Sequence, residues 1–178
     1  MDFTEVVKTR RSVRSYRSDP IPEDVLRRVL DGARMAPSAN NIQPWHFLVV
    51  KDAAKRRQLA ELAAGQMFVA EAPVVIVCCG RRYEDRYSWI RSNMYLVDCS
   101  IAIDHLTLAA RNEGLGTCWI GAFDHDGVRK AVQVPSGYDV IMLLPIGYPA
   151  SKTAFRETGG RRGLREIVSQ GNPGPALK

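Results

Sequence analysis

The sequence predicts an α/β or α+β sandwich with a covered central sheet, and two observations predict it. Helical periodicities alternate with short apolar, β-branched runs, and the run Pro73 to Cys79 is near-continuous, as a strand covered on both faces must be. At 178 residues and 46% hydrophobic composition, the chain is sized for one domain with a substantial core. No repeat or linker interrupts it, so residues 1–170 read as one domain. The tail 171–178, with two prolines and two glycines, reads as loose.

A first helix is expected from about Asp2 to Thr9, burying Phe3, Val6 and Val7. A second opens at Pro22, whose fixed φ suits a first helical position, with Glu23 and Asp24 at the positive end of the dipole. Its apolar face is Val25, Leu26, Val29, Leu30 and Ala33, and Pro37 stops it. His46 to Val50 reads as a strand, and Asp52 can cap a helix reaching about Ala64. After the buried strand, Gly80 to Trp89 is charged and aromatic, a surface loop. From Asn93 to Asn112 a long helical pattern buries Val97, Ile101, Leu106 and Leu108, and Gly114 stops it. Thr117 to Ile120 and Val140 to Ile146 read as strands on either side of a helix at Asp124 to Val132. Gly147 to Gly163 is irregular and basic, and Leu164 to Val168 reads as a last short strand.

Several chemistries are excluded or disfavoured. The net charge of +6 suggests nucleic acid, but the arginine pairs are dispersed over different elements, without RNA-binding aromatics or zinc-finger spacing. Cys78, Cys79, Cys99 and Cys118 show no C-x-x-C spacing and read as buried reduced thiols. His46, His105 and His125 lie far apart, so no metal site is expected. Gly114-Leu115-Gly116 is no dinucleotide fingerprint, because Trp119 stands where a third glycine is needed. Ser12 and Ser38 lack a nucleophile-elbow context. Apolar runs are too short to span a membrane, and the opening Met1-Asp2-Phe3-Thr4-Glu5 is unlike a secretory signal, so a cytoplasmic protein is the default expectation. No side chain is set up for hard chemistry, which leaves that role to an organic cofactor.

Two segments point to such a cofactor. Arg10-Arg11-Ser12-Val13-Arg14 concentrates guanidinium groups and a hydroxyl, which suit a phosphate. Ala36-Pro37-Ser38-Ala39-Asn40-Asn41-Ile42-Gln43-Pro44-Trp45 offers rigid amide donors and acceptors, which suit a polar heteroaromatic ring. Taken singly, the first also reads as a solvated basic turn and the second as a rigid surface loop.

With Ala72 to Val77, Gly114-Leu115-Gly116-Thr117, Pro145-Ile146-Gly147-Tyr148-Pro149 and Arg161-Arg162-Gly163-Leu164, these segments resemble the FMN-dependent nitroreductase family over nearly the whole chain. The resemblance implies an α+β fold with a central mixed sheet flanked by helices, in an intertwined homodimer with FMN at the subunit interface. It implies that Arg10 and Arg161 hold the phosphate, Ser12 the phosphate or ribityl chain, and Arg11 adds backbone and side-chain contacts. Arg14 would reach the pyrimidine side, where a guanidinium favours the negative charge that reduction brings, making it the catalytic candidate. Pro37, Ser38 and Asn40 would approach from the partner subunit. Ile120, Gly121 and Ala122 would run behind the ring and offer a backbone N–H near N5, and Gln66 would bring an amide. The implied activity is transfer of electrons from NADH or NADPH to a nitroaromatic, quinone or other electrophilic acceptor. The alternative is a protein that stores or senses FMN without turnover. Arg81 to Asn93, with Tyr83, Tyr87 and Trp89, is expected to border the pocket above the flavin.

Overall fold

The computed structural model describes residues 1–83, 92–151, 153–157 and 159–171. A four-stranded sheet lies at the centre: β1 (Trp45–Val50), β2 (Val74–Arg81), β3 (Gly116–Thr117) and β4 (Tyr138–Gly147), in the order β1-β2-β4-β3. All three pairings are antiparallel, and an isolated parallel bridge joins Ser12 to Thr117 outside the named strands. Around the sheet run α1 (Phe3–Thr9), α2 (Glu23–Arg34), α3 (Ala53–Leu62), α4 (Phe68–Glu71), α5 (Met94–Asn112), α6 (His125–Ala131) and α7 (Leu164–Ile167).

The two-residue period of β2 divides the core. Val74, Ile76 and Cys78 point to one face and meet Leu26, Val29 and Ala33 of α2 and Ile103, Leu106 and Ala110 of α5. Val75, Val77 and Cys79 point to the other and meet Leu59 and Ala60 of α3 and Val128 of α6. Each large aliphatic side chain so buried contributes about 1.5–3 kcal/mol. That is why β2 reads as unbroken apolar sequence. All four cysteines are free and buried.

Helix ends follow local chemistry. The Asp52 carboxylate accepts the Lys55 N–H at 2.8 Å and starts α3. That of Asp124 accepts the Asp126 and Gly127 N–H groups at 3.1 Å and starts α6. Gly114 takes φ +77° at the end of α5, a left-handed stop that costs glycine nothing.

Several elements depart from the sequence expectation. In α1 only Val6 is buried; Phe3 is 72% and Val7 48% exposed. Val97 of α5 is 46% exposed, while Leu106 is buried. Residues 164–167 form a helix rather than a strand, because Glu166 turns back to accept the Gly163 N–H at 2.7 Å and closes a helical start. The strand expected over Thr117 to Ile120 narrows to Gly116–Thr117, followed by a single bridge from Ile120 to Leu143. The short helix α4 lies in what reads as a plain connection between α3 and β2.

Candidate cofactor site

The end of α1 leads directly into a sheet edge. The Arg10 N–H closes the helix on Val6 O at 2.9 Å, after which the chain straightens alongside β3. Ser12 bridges to Thr117, and the Val13 N–H donates to Thr117 O at 2.9 Å. Gly116 permits this approach, since a Cβ there would sit 2.6 Å from Val13 Cγ2. Extended geometry then turns Val13 inward and leaves Ser12 and Arg14 exposed on the outer side. Tyr16 anchors the strip from below: its buried hydroxyl donates to Val13 O at 2.6 Å. Burial pushes that phenol far above its ordinary value, so it stays a donor.

Arg10 and Arg11 are half-buried. Arg11 Nη1 donates to Arg10 O at 2.6 Å, while Arg11 Nε is buried with no hydrogen-bond partner among the described residues. Arg11 lines a cleft of about 240 Å³ together with Val7, Lys8, Glu157 and Arg161. Three cations therefore share that cleft with one carboxylate. Of the expected phosphate ligands, the structure brings Arg161 to Arg11; Arg10 is not among the lining residues. Lys8 was missed by the sequence reading, although it stands one helical turn before Arg11.

Further along the same edge, Ile120 exchanges both backbone hydrogen bonds with Leu143, at 2.9 and 3.1 Å, so its N–H is committed. Gly121 and Ala122 are exposed, and neither N–H is hydrogen-bonded among the described residues. A Cβ on Gly121 would meet only Met142, at 3.9 Å, so packing within this chain does not demand a glycine there. Cys118 lies close by: burial raises its thiol, while Arg14 and a hydrogen bond with Ser12 pull it down. Gln66 is half-buried and donates its amide to Ala63 O at 2.9 Å, at the end of α3.

The second motif forms a turn at Ala39–Asn41, with Asn40, Asn41 and Gln43 at φ +47°, +55° and +52°. Left-handed backbone is costly for residues other than glycine and least so for asparagine. Ser38 Oγ accepts the Gln43 N–H at 2.9 Å and Ser38 O accepts that of Asn41 at 3.0 Å. The Ala39 N–H donates to Asp98 Oδ2 of α5 at 3.0 Å. Pro37 and Asn40 are exposed and Ser38 half-buried.

One chain does not bring the two motifs together. The strip borders β3, at the Val74–Ile146 end of the sheet, whereas the turn feeds β1 at the opposite edge, where Trp45 pairs with Gly80. Helix α5 measures the gap. Asp98 holds the turn, and Arg111 Nε donates to Thr9 Oγ1 at 2.9 Å beside the strip. Those two α5 residues are about 20 Å apart along the axis. The Arg111 guanidinium also lies 4.0 Å over the Phe155 ring, steadying the segment that leads to Arg161. Of the expected pocket border, Arg82 pairs with Asp139 at 3.0 Å and Tyr83 donates to Asp98. Tyr87 and Trp89 lie outside the described residues.

Among the described residues, no helix is long and apolar enough to cross a membrane. Comparison with known proteins gives consistent matches. The model of the nitroreductase family matches residues 7–93 and 66–148. A protein of Thermus thermophilus named NADH dehydrogenase is 33% identical over 187 residues, covering 85% of this chain and 89% of its own. One of Bacillus subtilis named FMN reductase [NAD(P)H] is 30% identical, covering 85% and 69%. The relatives differ in activity: a Rhodospirillum rubrum protein named 5,6-dimethylbenzimidazole synthase is 33% identical, covering 83% and 82%. The solved structure of a nitroreductase family protein from Clostridium novyi NT superposes with a TM-score of 0.78 at 30% identity, over 99% of this chain and 97% of that one. With its sheet edge, its arginine strip and these matches all agreeing, the chain belongs to the nitroreductase family.

Proposed function

We propose that the protein is a homodimeric FMN-dependent oxidoreductase that takes reducing equivalents from NADH or NADPH and passes them to a nitroaromatic, quinone or other electrophilic small molecule. The observation that carries this reading is the cleft at the end of α1, where Lys8, Arg11 and Arg161 outnumber Glu157 and a buried Arg11 Nε has no partner among the described residues. A phosphate dianion supplies the acceptor oxygens this donor set lacks, and a buried donor without one costs stability. Beyond the cleft, the same edge presents the Ser12 hydroxyl, the Arg14 guanidinium and two uncommitted N–H groups at Gly121 and Ala122. That order suits a phosphate, a sugar-alcohol chain and a polar ring.

FMN, when bound, supplies hydride acceptance and return. The chain's part is to hold it. Arg11, Arg161 and Lys8 would neutralise the phosphate, Arg10 and Ser12 would lie next along the strip, and Arg14 would favour negative charge at the pyrimidine side. Ile120 to Ala122 back the ring and aim an N–H at it. Gln66, whose amide already serves α3, is the weakest contact of the set. The partner subunit's turn supplies the remaining contacts, since in one chain turn and strip stand too far apart. Exposed Phe3 and Val7 of α1 and Leu96 and Val97 of α5 give a second copy an apolar surface to cover.

Purified protein is expected to be yellow or to take up added FMN, and anaerobic NADH or NADPH is expected to bleach it. Protein that stays colourless in excess FMN ends the reading. Protein that binds FMN but is bleached by neither nucleotide is a flavin-binding module without turnover. Stopped-flow reduction with each nucleotide, then an acceptor panel, identifies donor and acceptor.

A further inference from the structure

Asp98 is a carboxylate only 3% exposed, in the first half of a helix whose neighbouring buried residues are Tyr95, Cys99 and Ala102. Among the described residues no lysine, arginine or histidine forms an ion pair with it. Burying a charge without a countercharge is expensive, so its hydrogen bonds must carry that burden. Two are visible, and both end on Oδ2: one from the Ala39 N–H at 3.0 Å, one from the Tyr83 hydroxyl.

What the Ala39 bond holds is a left-handed stretch of backbone. Among the described residues, three of the five non-glycine residues with positive φ lie between Asn40 and Gln43. Inside the turn, the Ser38 hydroxyl and carbonyl close it on itself. Among the described residues, its hydrogen bond to another element is that of the Ala39 N–H to Asp98 of α5. Burial, and then the bond to Asp98, raise the Tyr83 phenol above its ordinary value, so it remains a donor at any working pH.

We propose that Asp98 is a positioning residue: its carboxylate holds the Pro37–Asn41 turn in the shape that meets the cofactor of the neighbouring subunit, and Tyr83 fixes the carboxylate's own orientation. This rests on the FMN reading above. The turn's backbone does the touching, and Asp98 decides where that backbone is. An amide at position 98 keeps an acceptor for Ala39, whereas alanine keeps none.

The test compares FMN-loaded wild type with Asp98→Ala, Asp98→Asn and Tyr83→Phe. It reads FMN affinity by flavin fluorescence, the visible circular dichroism of the bound flavin at saturation, and the melting temperature. Asp98→Ala is expected to weaken FMN about tenfold or more and to change the flavin dichroism, with Asp98→Asn recovering most of both. Tyr83→Phe is expected to shift both in the same direction, by about threefold in affinity. Asp98→Ala with wild-type affinity and dichroism overturns the proposal. A lower melting temperature with unchanged dichroism at saturation also overturns it, since that is a merely structural role. Equal losses in Asp98→Asn and Asp98→Ala overturn the hydrogen-bond assignment. If Asp98→Ala cannot be purified, Tyr83→Phe decides, and wild-type behaviour there overturns the proposal. Failure of the FMN reading shows in wild type, which would take up no flavin; failure of this proposal shows only in the variants.

Discussion

The arginine strip and the asparagine turn both present polar groups outward, and they are held in opposite ways. The strip is extended backbone clamped to β3 by main-chain bonds, with Val13 and Tyr16 buried beneath it. Its outward groups are the side chains of Ser12 and Arg14, aimed by the pleat. The turn is left-handed backbone, kept in place by the Ser38 hydroxyl and the Asp98 carboxylate. Its Pro37 and Asn40 are exposed at the tip. A sheet edge is rigid without strain, so the strip is vulnerable to loss of charge or to displacement of its track. The turn is vulnerable to one side chain from another element.

The largest effect is expected at the charges. Arg11→Ala or Arg161→Ala removes a charge-assisted contact worth about 1.5–3 kcal/mol, weakening FMN about tenfold to a hundredfold by fluorescence titration. Arg10→Ala should cost less, because its side chain does not line the cleft; a loss equal to that of Arg161→Ala would return the phosphate to Arg10. Displacing the track comes next. Gly116→Val drives a side chain into Val13, and overpacking of about 1–3 kcal/mol should lower the melting temperature and FMN affinity together. Retained affinity would show the strip is not held by β3.

On the turn, Asn41→Val places a β-branched residue at φ +55°, with an expected cost of about 1–2 kcal/mol in urea unfolding. No cost would mean the turn relaxes freely, and the contrast between the two regions would dissolve. A pH effect concerns the thiols beneath the turn's end of the sheet. Burial raises Cys79 from an ordinary 9.0 to about 11, and Cys99 to about 12. The folded state keeps a proton that the unfolded chain gives up, so this contribution is intact below pH 9.0 and lost as pH rises toward 11. Urea midpoints should therefore fall above pH 9.0, and a flat profile there would refute the burial of these groups.

The strand β2 was legible because both its faces are covered, and an apolar run needs no partner to be recognised. The capped start of α3 was legible because Asp52 acts on Lys55, three residues on; α6 was legible as a helix from Asp124, its cap only in the structure. Phe3, Val7 and Val97 show the limit of periodicity: it marks an apolar face, yet within the chain these residues stay exposed. Lys8 reads as an ordinary helix charge, and only the return of residue 161 gives it company. Asp98 reads as a lone polar residue in an apolar pattern; its partners arrive from 59 positions upstream and 15 upstream. The four residues of α7 are too few for a period to separate helix from strand, and with Gly163 in place of Ser or Thr the sequence offers no full capping box.

Helix α5 carries a last consequence. One end grips the turn through Asp98, and the other steadies Thr9 and Phe155 beside the strip. In a twofold pair, each binding site would then have two owners, and each chain would hold half-shares in both. A chain defective in the strip and a chain defective in the turn would each fail alone, yet mixed dimers would contain one site with both lesions and one with neither. Co-refolding the two dead proteins in equal amounts should restore about a quarter of the sites. A monomer, or a dimer with self-contained sites, could show no such recovery.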